Sequence, residues 1–229
     1  FRSQEELLKA VCATGKPVVL VLLDGRASSI NYAAAHVPAI LHAWFPGEFC
    51  GQAVAEALFG DYNPGGRLAV TFPKSVGQIP FAFPFKPGSD ESSSTSVYGV
   101  LYPFGHGLSY TTFSYGDLKI SPLRQGVQGD INISCKIKNT GKIKGDEVVQ
   151  LYLRDEVSSV TTYTKVLRGF ERISLEAGEE QMVHFRLRPQ DLGLWDKNMN
   201  FRVEPGKFKV MIGSSSTDIR LHGRFEIAP

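Results

Sequence analysis

The apolar residues of this chain follow two different rhythms, and the change falls within residues 113–122. Before it, apolar runs are continuous: residues 18–23 read VVLVLL. A strand with no polar alternation suits a parallel sheet whose two faces are covered by helices. After it, the runs alternate. Ile131, Ile133, Cys135 and Ile137 are separated by Asn132, Ser134 and Lys136, and the same period of two recurs at Val149, Leu151 and Leu153, at Val183, Phe185 and Leu187, and at Phe208, Val210 and Ile212. Such strands place one face on a core and the other in water. One packing scheme cannot satisfy both rhythms, so the chain is expected to fold as two bodies.

The first body is α/β, a partial α/β sandwich with mainly parallel strands. Ser3 and Glu6 have the spacing of a capping box, Leu7, Leu8 and Val11 then share a helix face, and Gly15 supplies a stop. Residues 18–23 read as a strand buried on both faces, and residues 39–44 as a weaker second strand. Residues 51–59 form a short helix, with Ala53, Val54, Ala57 and Leu58 on one side and Gly60 as terminator. Asn63-Pro64-Gly65-Gly66 is a turn signal, after which residues 67–72 read as a third strand. Residues 81–96 hold Pro84, Pro87, Gly88 and a Ser/Thr cluster at 92–96, a long surface loop that extends to residue 100. Loops beyond ~12–15 residues in compact domains tend to be functional or disordered.

The second body is all-β. Turn signals at 139–141, 176–178, 204–206 and 213–214 divide it into about seven half-buried strands, the pattern of an immunoglobulin-like sandwich. No cysteine pair is placed to bridge its sheets, so the fibronectin type III form fits better than the antibody form. The expected division is 1–115 and 116–229.

Composition removes several functions. Lys and Arg number 25 against 23 for Asp and Glu, a balance with no global field for nucleic acid or an anionic membrane. No run approaches the ~20 apolar residues of a membrane span. The first residues, FRSQEELLKA, lack the pattern of a secretory signal. Cys12, Cys50 and Cys135 are too few for a disulfide framework and read as buried thiols.

Candidate chemistry is sparse. Hydrolysis of a glycosidic bond with retention needs two carboxyl groups ~5–5.5 Å apart. The adjacent pairs Glu5-Glu6, Asp90-Glu91, Asp155-Glu156 and Glu179-Glu180 diverge on a strand or helix, so they read as solvated structural groups. Glu48, in the WFPGE run 44–48, sits where a strand gives way to a helix, and a helix-start role suits it. The histidines His36, His42, His106, His184 and His222 have no metal-ligand spacing and read as surface or interface residues. G-x-S-x-G and the glycine-rich phosphate loops are absent. Asn132-Ile133-Ser134 is a formal glycosylation acceptor placed on a predicted strand. Residues 98–115 are rich in aromatics, as suits a junction between two bodies, and Tyr98 and Tyr102 are the candidates for a sugar-facing rim. No catalytic residue, metal ligand or cofactor is assigned.

Several of these stretches resemble glycoside hydrolase family 3, the exo-acting β-glucosidases and β-xylosidases. They are QEELLKAV and TGKPVVLV near the start, WFPGE through FGDYNPGGRL at 44–68, LYPFGHGLSYTT at 101–112, VLRGFER at 166–172 and FRVEPG at 201–206. One departure is Phe49-Cys50, where small or acidic residues usually follow Pro-Gly-Glu. The resemblance implies the carboxy-terminal portion of an exo-acting retaining β-glycosidase: part of its second domain and the fibronectin-like third. Its nucleophile Asp and acid/base Glu have no matching position here, so this chain alone is expected to be inactive. Scaffold and active-site rim are its implied roles, with the loop at 86–100 near the entrance. The implied partners are the amino-terminal barrel and the first half of the α/β domain, or a second copy joined through an exposed sheet edge, and a glycoside substrate. A periplasmic or secreted location is favoured by the resemblance. The alternative is a stand-alone carbohydrate-binding or protein-interaction module without catalysis.

Overall fold

Helix α1 (Arg2–Cys12) begins one residue ahead of Ser3, which therefore lies inside the helix and not at its N-cap. The computed structural model describes residues 2–78, 81–89 and 97–229. The Asp90-Glu91 pair, the Ser/Thr cluster at 92–96 and that part of the long loop lie outside the described residues. These residues form two units, one of 2–62, 71–78, 81 and 97–102, the other of 63–70, 82–89 and 103–229.

In the first unit, Lys9 pairs with Glu5 at 2.7 Å and Glu6 at 3.2 Å along the exposed face of α1. Gly15, at φ +71°, turns the chain beyond it. Strand β1 (Val19–Leu22) and strand β2 (Ala39–His42) run parallel, in register from Val19 opposite Ala39 to Leu22 opposite His42. Between them is α2 (Asn31–His36), too short for its periodicity to be legible in the sequence. Helix α3 (Cys50–Phe59) ends at Gly60 in the left-handed conformation, as its sequence predicts. Strands β3 (Phe72–Pro73) and β4 (Val100–Tyr102) pair antiparallel.

Two expectations for residues 18–72 need correction. The apolar 18–23 run is not buried on both faces: Val19 is 50% exposed and Leu23 58%. Only β2 hydrogen-bonds to β1 among the described residues, so the second edge of β1 has no strand against it. The expected strand 67–72 shrinks to Phe72–Pro73 because the residues before it bond elsewhere. Gly105 N donates to Leu68 O at 2.7 Å, and Leu68 N to His106 O at 2.8 Å.

The second unit is the β-sandwich. Its elements are β5 (Phe113–Ser121), β6 (Arg124–Gly126), β7 (Ile131–Asn139), β8 (Gly145–Asp155), β9 (Val166–Leu175), β10 (Glu180–Leu187), α4 (Pro189–Leu192), β11 (Leu194–Trp195), β12 (Phe201–Arg202), β13 (Gly206–Gly213) and β14 (Ile219–Ala228). One sheet has the order β10-β7-β5 and the facing one β6-β14-β13-β8-β9, with β11 and β12 as a separate hairpin. The alternating residues face inward as predicted: Ile133, Cys135, Ile137, Leu151, Val210 and Ile212 are all buried. Phe208 and Phe225 stack across β13 and β14 with centroids 5.3 Å apart. At roughly 25 cal/mol per Å² of apolar surface removed from water, this core is the main stabilising element of the unit. Cys135 lies within it, where burial pushes its thiol up to about 11; Cys12 and Cys50 are only partly buried, contrary to expectation. The acceptor triplet at 132–134 sits in the β7 ladder, with Asn132 opposite Arg186 and Ser134 opposite His184.

Candidate functional site

Residues 63–67 and 103–112, which belong to two of the sequence signatures, are held by a polar lattice inside the second unit. The stretch at 63–66 has turn composition but forms no turn. It is anchored by Asn63, whose Nδ2 donates to Lys144 O at 2.9 Å while its Oδ1 accepts from Ser109 Oγ (3.0 Å) and Tyr110 N (2.8 Å). Arg67 reaches Glu147 on β8 at 2.8 Å, and Tyr115 on β5 donates its hydroxyl to the other Glu147 oxygen at 2.7 Å. Gln150 of β8, itself buried, donates to Gly105 O at 3.2 Å and accepts from the Tyr152 hydroxyl at 2.5 Å. Thr111 Oγ1 donates to Asn139 Oδ1 at 2.7 Å. Buried polar groups of this kind are stable only when paired, so the signature residues act here as structural fasteners. The Arg220 guanidinium lies over the Tyr115 ring at 4.8 Å. Burial, followed by the Glu147 charge, raises the Tyr115 phenol far above its usual range. Burial and the Arg67 charge lower the His106 imidazole.

The two predicted rim residues belong to the first unit and differ in setting. Tyr98 is 61% exposed. Tyr102, on β4, is half-buried, pairs with Phe72 across the strands and meets its ring edge-on at 6.1 Å; burial raises its phenol. Stacking on a sugar needs a free ring face, and Tyr98 offers the more accessible one.

A second cluster lies at the carboxy-terminal ends of β1 and β2, the place where open α/β sheets present groups to ligands. His42 Nε2 is 3.6 Å from Asp24 Oδ1. The His42 ring is flanked by Trp44 (4.1 Å between centroids) and Phe72 (5.3 Å), and neither ring nitrogen has a hydrogen bond among the described residues. Trp44 sits at φ +55°, an uncommon conformation for so bulky a residue, and this bends the chain sharply after β2. Asp24 is held by Arg26 N (2.8 Å) and Ser28 Oγ (3.1 Å). The sequence reads His42 as a surface or interface residue, yet its side chain is only 9% exposed. Nothing in a lone histidine's spacing carries that information.

The remaining candidates stay apart. Glu48 is exposed, one residue ahead of the Phe49 N-cap of α3, and no side chain caps that helix. Asp155 and Glu156 diverge: Asp155 accepts from Val157 N at 3.3 Å, and Glu156 binds Arg224 at 3.0 Å. Both line a surface hollow of about 370 Å³ between β8 and β9, together with Ser158, Thr161 and Tyr163. Among the described residues no group of three His, Cys, Asp or Glu is arranged to hold a metal, and no helix is long and apolar enough to cross a membrane.

Comparison with known proteins covers nearly all of these features. Residues 1–110 match the glycosyl hydrolase family 3 C-terminal domain, and residues 147–216 match the fibronectin type III-like domain. The chain is 45% identical over 217 residues to a β-xylosidase of Formosa agariphila, covering 93% of this chain and 30% of that protein. It is 41% identical to a periplasmic β-glucosidase of Salmonella typhimurium, covering 99% of this chain and 31% of that one. Among solved structures, a β-glucosidase of Erythrobacter marinus superposes with a TM-score of 0.93 at 42% identity, over 98% of this chain and 30% of its own. A β-glucosidase of Listeria innocua in complex with glucose gives 0.92 at 32% identity, over 100% and 33%. The chain therefore spans about a third of the length of the relatives it matches.

Proposed function

The chain belongs to glycoside hydrolase family 3, matching its carboxy-terminal region, and from that membership we propose that it works as the carboxy-terminal part of an exo-acting retaining β-glycosidase. The substrate class is a terminal β-linked sugar of the glucoside or xyloside type. The observation that carries this reading is identity above 40%, over almost the whole chain, to proteins named β-xylosidase and β-glucosidase.

In this reading the nucleophile Asp and the acid/base Glu are supplied by residues outside this chain. The described carboxylates support that assignment: each adjacent pair with both members described is committed to structure or points apart. Residues 1–115 contribute part of an α/β-sandwich domain and residues 116–229 the fibronectin-like domain. Tyr98 and Tyr102 form part of the active-site rim. The exposed apolar residues of β1, and its second edge, unpaired among the described residues, suit a neighbouring strand from the rest of the enzyme, since an uncovered edge otherwise invites pairing with another copy.

The test is hydrolysis of aryl β-glucoside and β-xyloside by this chain alone and by a longer polypeptide carrying the remainder of the enzyme. Turnover by the longer protein only is the expected result. Turnover by the chain alone would overturn the assignment of catalysis elsewhere. Sugar binding by residues 118–229 in isolation, with no turnover by the longer protein, would favour a carbohydrate-binding module instead.

A further inference from the structure

The three-residue turn Val76–Gln78 buries the Gln78 side chain, which is 4% exposed. Its Oε1 accepts from the backbone N–H groups of Lys74 (2.8 Å) and Ser75 (3.1 Å). Its Nε2 donates to the carbonyls of Val97 (3.2 Å) and Gly99 (3.0 Å). Both acceptor sites and both donors of the carboxamide are thus used, and the partners leave one orientation of the amide. Tyr98 lies between the two carbonyls so held. Its own carbonyl accepts from Lys74 Nζ at 2.9 Å. Lys74 is anchored in turn, because Asn31 Nδ2 donates to its carbonyl at 2.6 Å. Gly99 adopts φ +73°, and a Cβ there would lie 3.7 Å from Lys74 Nζ.

Three consecutive carbonyls are therefore gripped by two side chains, while the Tyr98 ring between them remains largely in solvent. Ordering a backbone segment costs conformational entropy, and a contact residue on an already ordered segment avoids that cost on binding. We propose that Gln78, assisted by Lys74, is a positioning residue for glycoside binding: it clamps residues 97–99 so that Tyr98 is preorganised as a sugar-stacking face. This rests on the reading of Tyr98 as a rim residue given above.

The variant that tests it is Gln78→Glu in the complete enzyme. A carboxylate keeps the acceptor for Lys74 and Ser75 but opposes the carbonyls of Val97 and Gly99, so it releases the clamped segment and spares the turn. Two readouts are needed. Amide exchange in residues 97–100 should quicken roughly tenfold or more when two buried hydrogen bonds are lost. For a β-linked disaccharide, KM should rise several-fold with kcat little changed, because the lost contact is uniform binding. Tyr98→Ala should raise KM similarly, and the double variant should add little. If Tyr98→Ala raises KM and Gln78→Glu does not, the clamp proposal fails and the rim reading stands. If Tyr98→Ala leaves KM unchanged, the rim reading fails, and the sugar-positioning role of Gln78 with it. Unchanged exchange at 97–100 in Gln78→Glu would overturn the clamp itself. Should Gln78→Glu fail to fold, Lys74→Met, which frees only the Tyr98 carbonyl, takes its place: faster exchange and a raised KM support the clamp, and no change in either overturns it.

Discussion

Arg67 Nη2 donates to Glu147 Oε2 across 2.8 Å, with the two side chains 7% and 3% exposed. A second guanidinium nitrogen, Nη1, donates to Gly65 O (3.2 Å) and Gly66 O (3.1 Å), Nε is buried with no hydrogen bond among the described residues, and the remaining Glu147 oxygen accepts from Tyr115. An ion pair removed from water is costly to halve, because the surviving charge has no solvent to compensate it. Arg67→Met and Glu147→Gln should each lower stability by about 3–5 kcal/mol. Denaturant unfolding of both, with the double variant to close the cycle, measures this. Losses that simply add in the double variant would show that the two side chains are not coupled.

Gly105 is at φ +81°, and a Cβ there would lie 2.1 Å from the buried Gln150 Oε1. Gly105→Ala combines an unfavourable backbone conformation with a clash, and should cost more than ~1 kcal/mol. Gly178 is at the same φ of +81° with nothing near its Cβ position, so Gly178→Ala isolates the backbone contribution. Thermal melts of the two variants should differ, with Gly105→Ala the less stable. Equal melting temperatures would mean that Gln150 moves aside freely.

Asp155 is held up to about 6, mainly by burial and then by the nearby Glu204 charge, against Val157 N–H, which favours the anion. The native state therefore holds this proton at pH values where the unfolded chain, near 3.9, has released it. From this group stability should fall as pH rises from about 4 to about 6 and level off above that. In the Asp155→Asn variant that slope should disappear, leaving the variant more stable than the parent at neutral pH. Unfolding free energies from pH 4 to 7 check the sign. A parent-minus-variant difference that stays flat with pH would refute it.

Leu151 is fully buried on β8 within the sandwich core. Leu151→Ala should lose about 2–5 kcal/mol, the transfer energy of the removed groups and the cavity left behind. Leu123 is 64% exposed, so Leu123→Ala should change stability by less than about 0.5 kcal/mol. Chemical unfolding of both decides whether burial ranks these positions correctly.

The β-sandwich was legible from single residues. Alternation at Ile131–Ile137, Val149–Leu153 and Phe208–Ile212 is imposed by the pleat itself, since successive side chains leave opposite faces of a strand. Short elements were not. The hairpin β11–β12 and helix α2 are too brief to show a period, and α1 starts ahead of its apparent cap because the residue before Ser3 is also helical. Family membership was equally legible, because the motifs at 44–68 and 101–112 are long and specific.

What local pattern could not supply was partnership. The 63–70 stretch has the composition of a turn and a strand, yet its backbone hydrogen bonds go to Gly105 and His106, and its arginine goes to a carboxylate eighty residues away. His42 becomes buried only because Trp44 and Phe72 close around it, and Tyr98 is pinned only because Gln78 and Lys74 reach across from another segment. Periodicity is a property of consecutive residues, so the amino-acid order alone determined the strand rhythm, the two-body division of patterns and the family. Which distant groups meet depends on how the segments pack, and packing decided the buried ion pair, the polar fasteners and the clamp beneath Tyr98.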